Sequence, residues 1–454
     1  MKKLIIILAI CSSITGCQKE FLEVKRDVTQ EVPTSLDDFD LLLDNLTVFN
    51  HGSGHVMSSI AGEEFQLSQL AFDQLGRPDE QRLYLWMDEN YVGSECMDWN
   101  YPYQRILYCN IILEGLVKLN PDVEYKNKFD RIKGEALFHR ANAEFMLSQQ
   151  FAAAFGDTEN NQFGIPLIHN VDPTLISKRS TVEETYSAIE KNLLEASSLL
   201  PEESDSRFTP SKSASLALLS RFYLVKGNYA KALEFAEKAL MVKGKLINYS
   251  ELSSVQDFSF GINGNNNPEI IFYDCTHAAL ALYRERYRVN EELISMYGNG
   301  DLRKNILFRK EQDGGYSYKG SYTGNPILFT GLATDELYFI AAESAVWLGD
   351  VEACLGYMNG FLKTRFSPGI YQTATDLSQS EALDFVIRER RKSLPNRGLR
   401  WSDIRRFTYL ENQTFSLRRE MKGEVHELKG KDKRLILLAP NNVIERSDVI
   451  QVPR

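Results

Sequence analysis

Apolar residues recur about every 3.6 positions across 106–119, 129–151, 182–200, 214–225 and 229–241, a spacing that lines one face of an α-helix and not of a strand. A chain with so many such stretches in succession can bury its apolar stripes only by packing helix on helix. Residues 36–46 read as a shorter amphipathic helix ahead of them. Within 216–240 the pattern is tighter still: Leu216, Leu219, Ser220, Tyr223, Ala232, Ala236 and Ala239 stand at the offsets of a tetratricopeptide motif. The small residues let two antiparallel helices approach, and Tyr223 fills the gap between them. A weaker copy runs from Leu337 through Ala341, Ala342, Ala345, Gly349 and Cys354 to Phe361. In each copy a glycine, Gly227 or Gly349, ends the first helix, where a left-handed residue costs least. The predicted fold class is mostly α, built on tetratricopeptide-like helical pairs.

Between the copies, residues 245–330 lose this period and gain Gly, Asn, Tyr and Phe. Asn263-Gly264-Asn265-Asn266-Asn267-Pro268 is a turn cluster, and Tyr316-Ser317-Tyr318 alternates like a short strand. We therefore expect one domain over 36–454, with a helical scaffold at about 101–245 and 333–410 and a loop-rich, variable binding half at about 245–330. Loops held on a rigid scaffold are where binding usually lives.

The start of the chain reads as an export signal. Lys2 and Lys3 are followed by an apolar run from Leu4 to Ile10 and then by Ile14-Thr15-Gly16-Cys17. A lipobox needs a branched apolar residue and two small ones before a cysteine, because the thiol must take a diacylglycerol and the peptidase must fit the bond before it. Residues 1–16 are thus expected to be a lipoprotein signal peptide, Cys17 the lipidated residue and 17–35 a tether. The apolar run is far short of the roughly 18 residues that span a bilayer, and no later stretch reaches that length. Two or three acyl chains, each buried methylene contributing about 0.8 kcal/mol, suffice for stable anchoring.

Composition narrows the partners. A formal net charge of −10 is a poor match for nucleic acid, whose binding depends on neutralising phosphates. Cys96, Cys109, Cys275 and Cys354 remain once Cys11 leaves with the signal and Cys17 is lipidated. They lack metal-ligand spacing and read as buried small residues, with one disulfide left open. His51 and His55 stand four apart, but Gly52 and Gly54 between them argue against a helix-borne metal site. Gly52-Ser53-Gly54 has neither the preceding strand nor the lysine of a phosphate loop. Carboxylate pairs such as Asp37-Asp38 and Glu63-Glu64 fit no hydrolase pattern, and no Ser-His-Asp or Cys-His arrangement appears. A binding protein without a cofactor, not an enzyme, is the expectation.

Several segments, in order, resemble the SusD/RagB family over nearly the whole chain. They are the stretch from Lys133 to Ala141, Phe163-Gly164-Ile165-Pro166-Leu167, the run from Arg207 to Ala214, the run from Asp335 to Ser344, and Arg388-Glu389-Arg390-Arg391-Lys392 followed by Gly398 to Arg406. Gln18-Lys19-Glu20 also resembles the acidic export tag of surface lipoproteins of Bacteroidota. The resemblance implies a helical fold and an outer-membrane lipoprotein facing the exterior. It further implies a partner, a SusC-like TonB-dependent transporter, and a glycan ligand or, in RagB-like branches, a peptide. The end of the chain departs from the family, with Leu437-Leu438-Ala439-Pro440-Asn441-Asn442 standing for its closing strand.

Glycan capture needs flat aromatic faces for sugar rings and polar groups for hydroxyls. The densest cluster is Tyr84, Trp86, Tyr91, Trp99, Asn100, Tyr101 and Tyr103, just ahead of the first long helix, and the resemblance places the Trp99-Asn100 step near the ligand. The opposing reading has Trp99 and Tyr103 packing into the core. Tyr316, Tyr318 and Tyr322 form a second candidate cluster, or a plain hairpin. The run from Arg388 to Arg406 carries eight basic residues. With Glu389 and Asp403 among them, and Trp401 able to stack on an arginine, it reads as a structural corner rather than an anion site. The function expected is a surface glycan-binding lipoprotein that delivers an oligosaccharide to a SusC-like transporter. The alternatives are a peptide-binding RagB-like variant and a helical-repeat scaffold without a small ligand.

Overall fold

The computed structural model describes residues 33–454 apart from 63, 92, 94, 120–122 and 412. The expected signal peptide, Cys17 and most of the tether lie outside the described residues. The helices of eight or more residues are α1 (Leu36–Leu43), α2 (Met97–Val117), α3 (Lys126–Phe151), α4 (Val182–Leu199), α5 (Lys212–Val225), α6 (Tyr229–Val242), α7 (Thr334–Trp347), α8 (Val351–Lys363), α9 (Gln379–Ser393) and α10 (Arg400–Tyr409). From α2 to α8 each packs on the next, with α1 also against α3 and α9 against α7. The mostly-α fold with paired helices is as the periodicity predicts.

The two repeat pairs are built by one local device. Gly227 and Gly349 sit at φ +69° and +87°. The amides of Asn228 and Asp350 then reach back to the carbonyls of Tyr223 and Ala345, both at 2.9 Å, closing each helix end. The same Asn228 and Asp350 side chains cap the following helix by accepting from Lys231 N and Ala353 N. A Gly-Asn or Gly-Asp step thus stops one helix and starts its antiparallel partner. Ala232, Ala236 and Ala239 are fully buried where α6 meets α5. The core centres on α3, which is buried on nearly every side from Gly134 to Phe151, as an all-round buried helix must be.

Three elements differ from the sequence reading. The region 36–46 breaks after Leu43 into a second short helix, Leu46–Phe49. The first long helix begins at Met97, not at Ile106, and runs through Pro102. The aromatic cluster at 99–103 therefore forms its first turns instead of preceding it. The segment 437–440 is buried and makes no strand, although Leu437 N donates to Gln150 O at 2.8 Å; the helix Asn441–Arg446 follows.

Residues 245–330 hold short strands and short helices among turns. Tyr316–Tyr318 pairs antiparallel with Phe308–Lys310, and Ile270–Phe272 with Leu332–Ala333 at the start of α7. Two strands tie this half to the N-terminal region: His51–Ser53 runs beside Cys275–Thr276, and Phe65–Leu67 beside Tyr287–Val289.

Apart from the exposed Arg388, the basic run folds into a largely buried corner. Asp403 accepts from Arg390 Nε at 3.0 Å and from Arg406 Nε at 2.9 Å, Arg406 also pairs with Glu343 on α7, and Arg397 pairs with Asp335 at 3.0 Å. Trp401 is buried, and the rings beneath the guanidiniums are instead Phe407 under Arg406 and Phe329 under Arg397. The cysteines 96, 109, 275 and 354 are free and buried, and burial pushes each thiol up to about 12.

Candidate functional site

Most of the aromatic candidates are committed to the interior. Trp86 is 3% exposed; its Nε1 donates to Ala61 O at 2.8 Å, and the Arg419 guanidinium lies 4.3 Å over the ring. Trp99 is 5% exposed and packs at about 5 Å from the rings of Tyr103 and Phe151. Tyr91 donates to Leu438 O and Tyr103 to Pro166 O. Tyr318 is buried in its hairpin. Tyr322 is buried as well, its hydroxyl 2.5 Å from a Glu269 carboxylate oxygen and 3.0 Å from one of Asp335. Neither Trp86, Trp99, Tyr318 nor Tyr322 offers a ring face to solvent in this conformation.

What remains open is a shelf at the start of α2. Asn100 and Tyr101 are half-exposed. The Tyr101 ring lies over Gly52 (φ +83°), and a Cβ added there would come within 2.9 Å of Tyr101 Cδ2. The His277 ring meets Tyr101 edge-on at 5.7 Å between centroids. His277 is fixed in turn by Asp98, whose Oδ1 lies 2.9 Å from His277 Nε2 and whose Oδ2 accepts from Met57 N at 2.7 Å. The other ring nitrogen, Nδ1, faces Ala278 O at 3.1 Å, so both nitrogens meet acceptors and the doubly protonated ring suits the site. Burial opposes charge on His277, but the hydrogen bond and charge of Asp98 outweigh it and raise the pKa above its ordinary value. Beside the shelf is a cavity of about 50 Å³ edged by Arg77, Asp79, Glu80, Asn90, Glu95 and His277. A half-exposed ring next to hydroxyl-matching polar groups can hold a sugar by stacking on one side and hydrogen bonding on the other.

Tyr316 is also half-exposed, but it stands on the separate hairpin with Lys304 5.4 Å over its ring, and no ring contact among the described residues links it to Tyr101. Sequence reading missed Gly52 as the seat of Tyr101, and Asp98 and His277 altogether. Asp98 sat unremarked inside the aromatic cluster, and nothing in the sequence brings His277 to it.

The structure thus presents a packed helical scaffold of tetratricopeptide-like pairs with a polar, ring-bearing shelf at the start of α2. Residues 20–224 match a SusD-like family model described as starch-binding associating with outer membrane, and residues 301–437 match the SusD family model. The chain belongs to the SusD/RagB family. SusD-like protein P2 of Formosa agariphila is 30% identical over 162 residues, which are 36% of this chain and 30% of that relative, so the match spans less than a third of the relative's length. Among solved structures, a putative sugar binding protein of Bacteroides vulgatus superposes with a TM-score of 0.75 at 20% identity, covering 93% of this chain and 99% of its own. A SusD superfamily protein of Bacteroides thetaiotaomicron gives 0.73 at 20% identity, covering 92% and 100%. A laminarin binding SusD-like protein gives 0.64 at 17% identity, covering 93% and 100%. At these identities the superpositions establish a shared fold, and at the level of the family the comparisons support carbohydrate binding. Among the described residues no helix is long and apolar enough to cross a membrane.

Proposed function

We propose that this chain is a cell-surface glycan-binding lipoprotein, held in the outer membrane through Cys17, that captures an oligosaccharide and passes it to a SusC-like TonB-dependent transporter. The observation that carries the capture step is the Tyr101 ring, seated on Gly52 and edged by the Asp98–His277 pair. Asn100 and Tyr101 take the ligand; Tyr316 is a separate contact for a longer chain. Residues 36–454 act as one binding unit with no catalytic step. Modest affinity is enough: a dissociation constant between micromolar and millimolar corresponds to about −8 to −4 kcal/mol, within reach of one ring stack and a few hydrogen bonds.

The burial of Trp86, Trp99, Tyr318 and Tyr322 favours a second reading, a peptide-binding variant or a scaffold that engages only protein. Two experiments separate them. The full chain, purified in detergent with its anchor, is titrated with a panel of neutral glycans and with a peptide mixture, and a tagged copy is used to recover its membrane partners. Glycan binding together with a co-purifying barrel supports the capture reading. Peptide binding alone, or no small ligand despite recovery of a barrel, replaces it with the second.

A further inference from the structure

Away from the Tyr101 shelf, a cleft of about 1010 Å³ opens between the α4–α5 connection and the loops that follow α6. Its walls come from 204–207, 243–252 and 259–271, and its floor is apolar, with Phe260, Ile270 and Ile271 buried beneath it. The volume is at the upper end of small-ligand sites, with room for an extended molecule.

The walls are fixed. Tyr273 N donates to Arg207 O at 2.7 Å, and Arg207 Nη1 donates to Asn263 O at 2.9 Å. Asn263 N donates to Thr323 O at 2.7 Å, which sets the turn cluster in place. On the opposite wall the buried Glu269 carboxylate accepts from Ile247 N and pairs with Arg365 at 2.6 Å, while Arg365 also donates to Ile247 O. These ties hold the cleft open without a ligand, so little ordering cost remains on binding.

Its chemistry is selective. The chain as a whole is acidic, yet the cleft gathers Arg207, Lys243 and Lys245 against Asp205 and Glu251. Lys243 is matched by Glu203 at 2.6 Å, whereas among the described residues neither Arg207 nor Lys245 has a carboxylate within ion-pair distance. On the same wall Asn267 Nδ2 is buried and meets no acceptor among the described residues, although its Oδ1 accepts from Glu269 N. A buried donor left unmatched is costly unless a ligand supplies the acceptor. Two unmatched cations, one unmatched amide donor, two carboxylate acceptors and an apolar floor suit a molecule with acid groups, many hydroxyls and flat C–H faces.

We infer that this cleft is a second ligand site, distinct from the shelf, for an acidic saccharide whose carboxylate or sulfate groups meet Lys245 and Arg207 while its hydroxyls meet Asn267, Asp205 and Glu251. The inference does not rest on the shelf, since no residue is shared between them.

Isothermal titration of the full chain in detergent, with a galacturonic-acid tetrasaccharide, which carries only carboxylates, and a sulfated-galactan (carrageenan) tetrasaccharide, which carries only sulfates, tests it and tells carboxylate from sulfate. At least one probe is expected to bind, more weakly as salt rises, and to resist displacement by a neutral oligosaccharide. Lys245→Gln, which alters an exposed side chain, should weaken it about tenfold, the range for a charge-assisted contact. Arg207→Gln should add to the loss, with the thermal melt showing whether the turn still holds. Failure of both probes to bind, or binding unchanged in Lys245→Gln, overturns the assignment. So does complete displacement of the acidic probe by the neutral one.

Discussion

Tyr101 rests on Gly52 at a distance that no other residue at position 52 allows: a Cβ there would stand 2.9 Å from Tyr101 Cδ2, in a backbone of φ +83° that side chains rarely adopt. The platform is thus set by a glycine some fifty residues earlier in the chain. Gly52→Ala should displace the ring and strain the strand His51–Ser53, destabilising the protein by about 1–3 kcal/mol. Glycan affinity should fall further than the melting temperature explains. An alanine variant with unchanged binding would show that the ring position is irrelevant.

The Asp98–His277 pair gives the shelf a pH dependence. The pKa of His277 is raised in the folded protein above the ordinary 6.5, since the hydrogen bond and charge of Asp98 overcome burial. The stabilisation from the charged pair is therefore complete below about pH 6.5 and is lost as pH rises through the higher folded value. Urea midpoints of the protein and of His277→Gln, compared at about pH 5.5 and about pH 8.5, should differ more at the acid end. A gap that is constant or widens with pH contradicts this.

The four buried candidate rings behave as core. Trp99→Ala should cost about 3–5 kcal/mol, as expected for removing a large buried aromatic side chain. Any loss of ligand should follow the unfolded fraction and recover where the fold persists. A stable Trp99→Ala protein that has lost binding would return Trp99 to the site.

Arg365 and Glu269 lie behind one wall of the second cleft and tie down Ile247, with side chains 1% and 0% exposed. Removing one partner leaves the other charge buried and unmatched, so Arg365→Met should destabilise by about 3–5 kcal/mol. Denaturation of the unaltered protein, Arg365→Met, Glu269→Leu and the double variant Arg365→Met/Glu269→Leu together measures the coupling. A double variant no more stable than the single one would show that the carboxylate is not the source of the loss.

The helical pairs were legible because their signal is local: Gly227 with Asn228, and Gly349 with Asp350, each close one helix and cap the next within a few residues. The site was less so. Whether Trp86 or Tyr101 faces solvent depends on partners distant in sequence, Arg419 for the one and His277 for the other, and no periodicity encodes those meetings. The first turns of α2 run through Pro102, a poor helix former, so local propensity gives no sign of a helix start at Met97. The cleft was visible only as a turn-rich stretch, because its cations come from segments separated in the chain and are brought together by backbone ties such as Tyr273 N to Arg207 O.

The most direct test of glycan capture at the shelf is calorimetry of the full chain and of Tyr101→Ala against a neutral glycan that the unaltered protein binds, with thermal melts alongside. The shelf reading expects Tyr101→Ala to fold normally and to lose about 1–3 kcal/mol of binding energy, the range for taking an aromatic ring face and the sugar face on it out of water. A folded Tyr101→Ala protein that binds the glycan as well as the unaltered chain would contradict it.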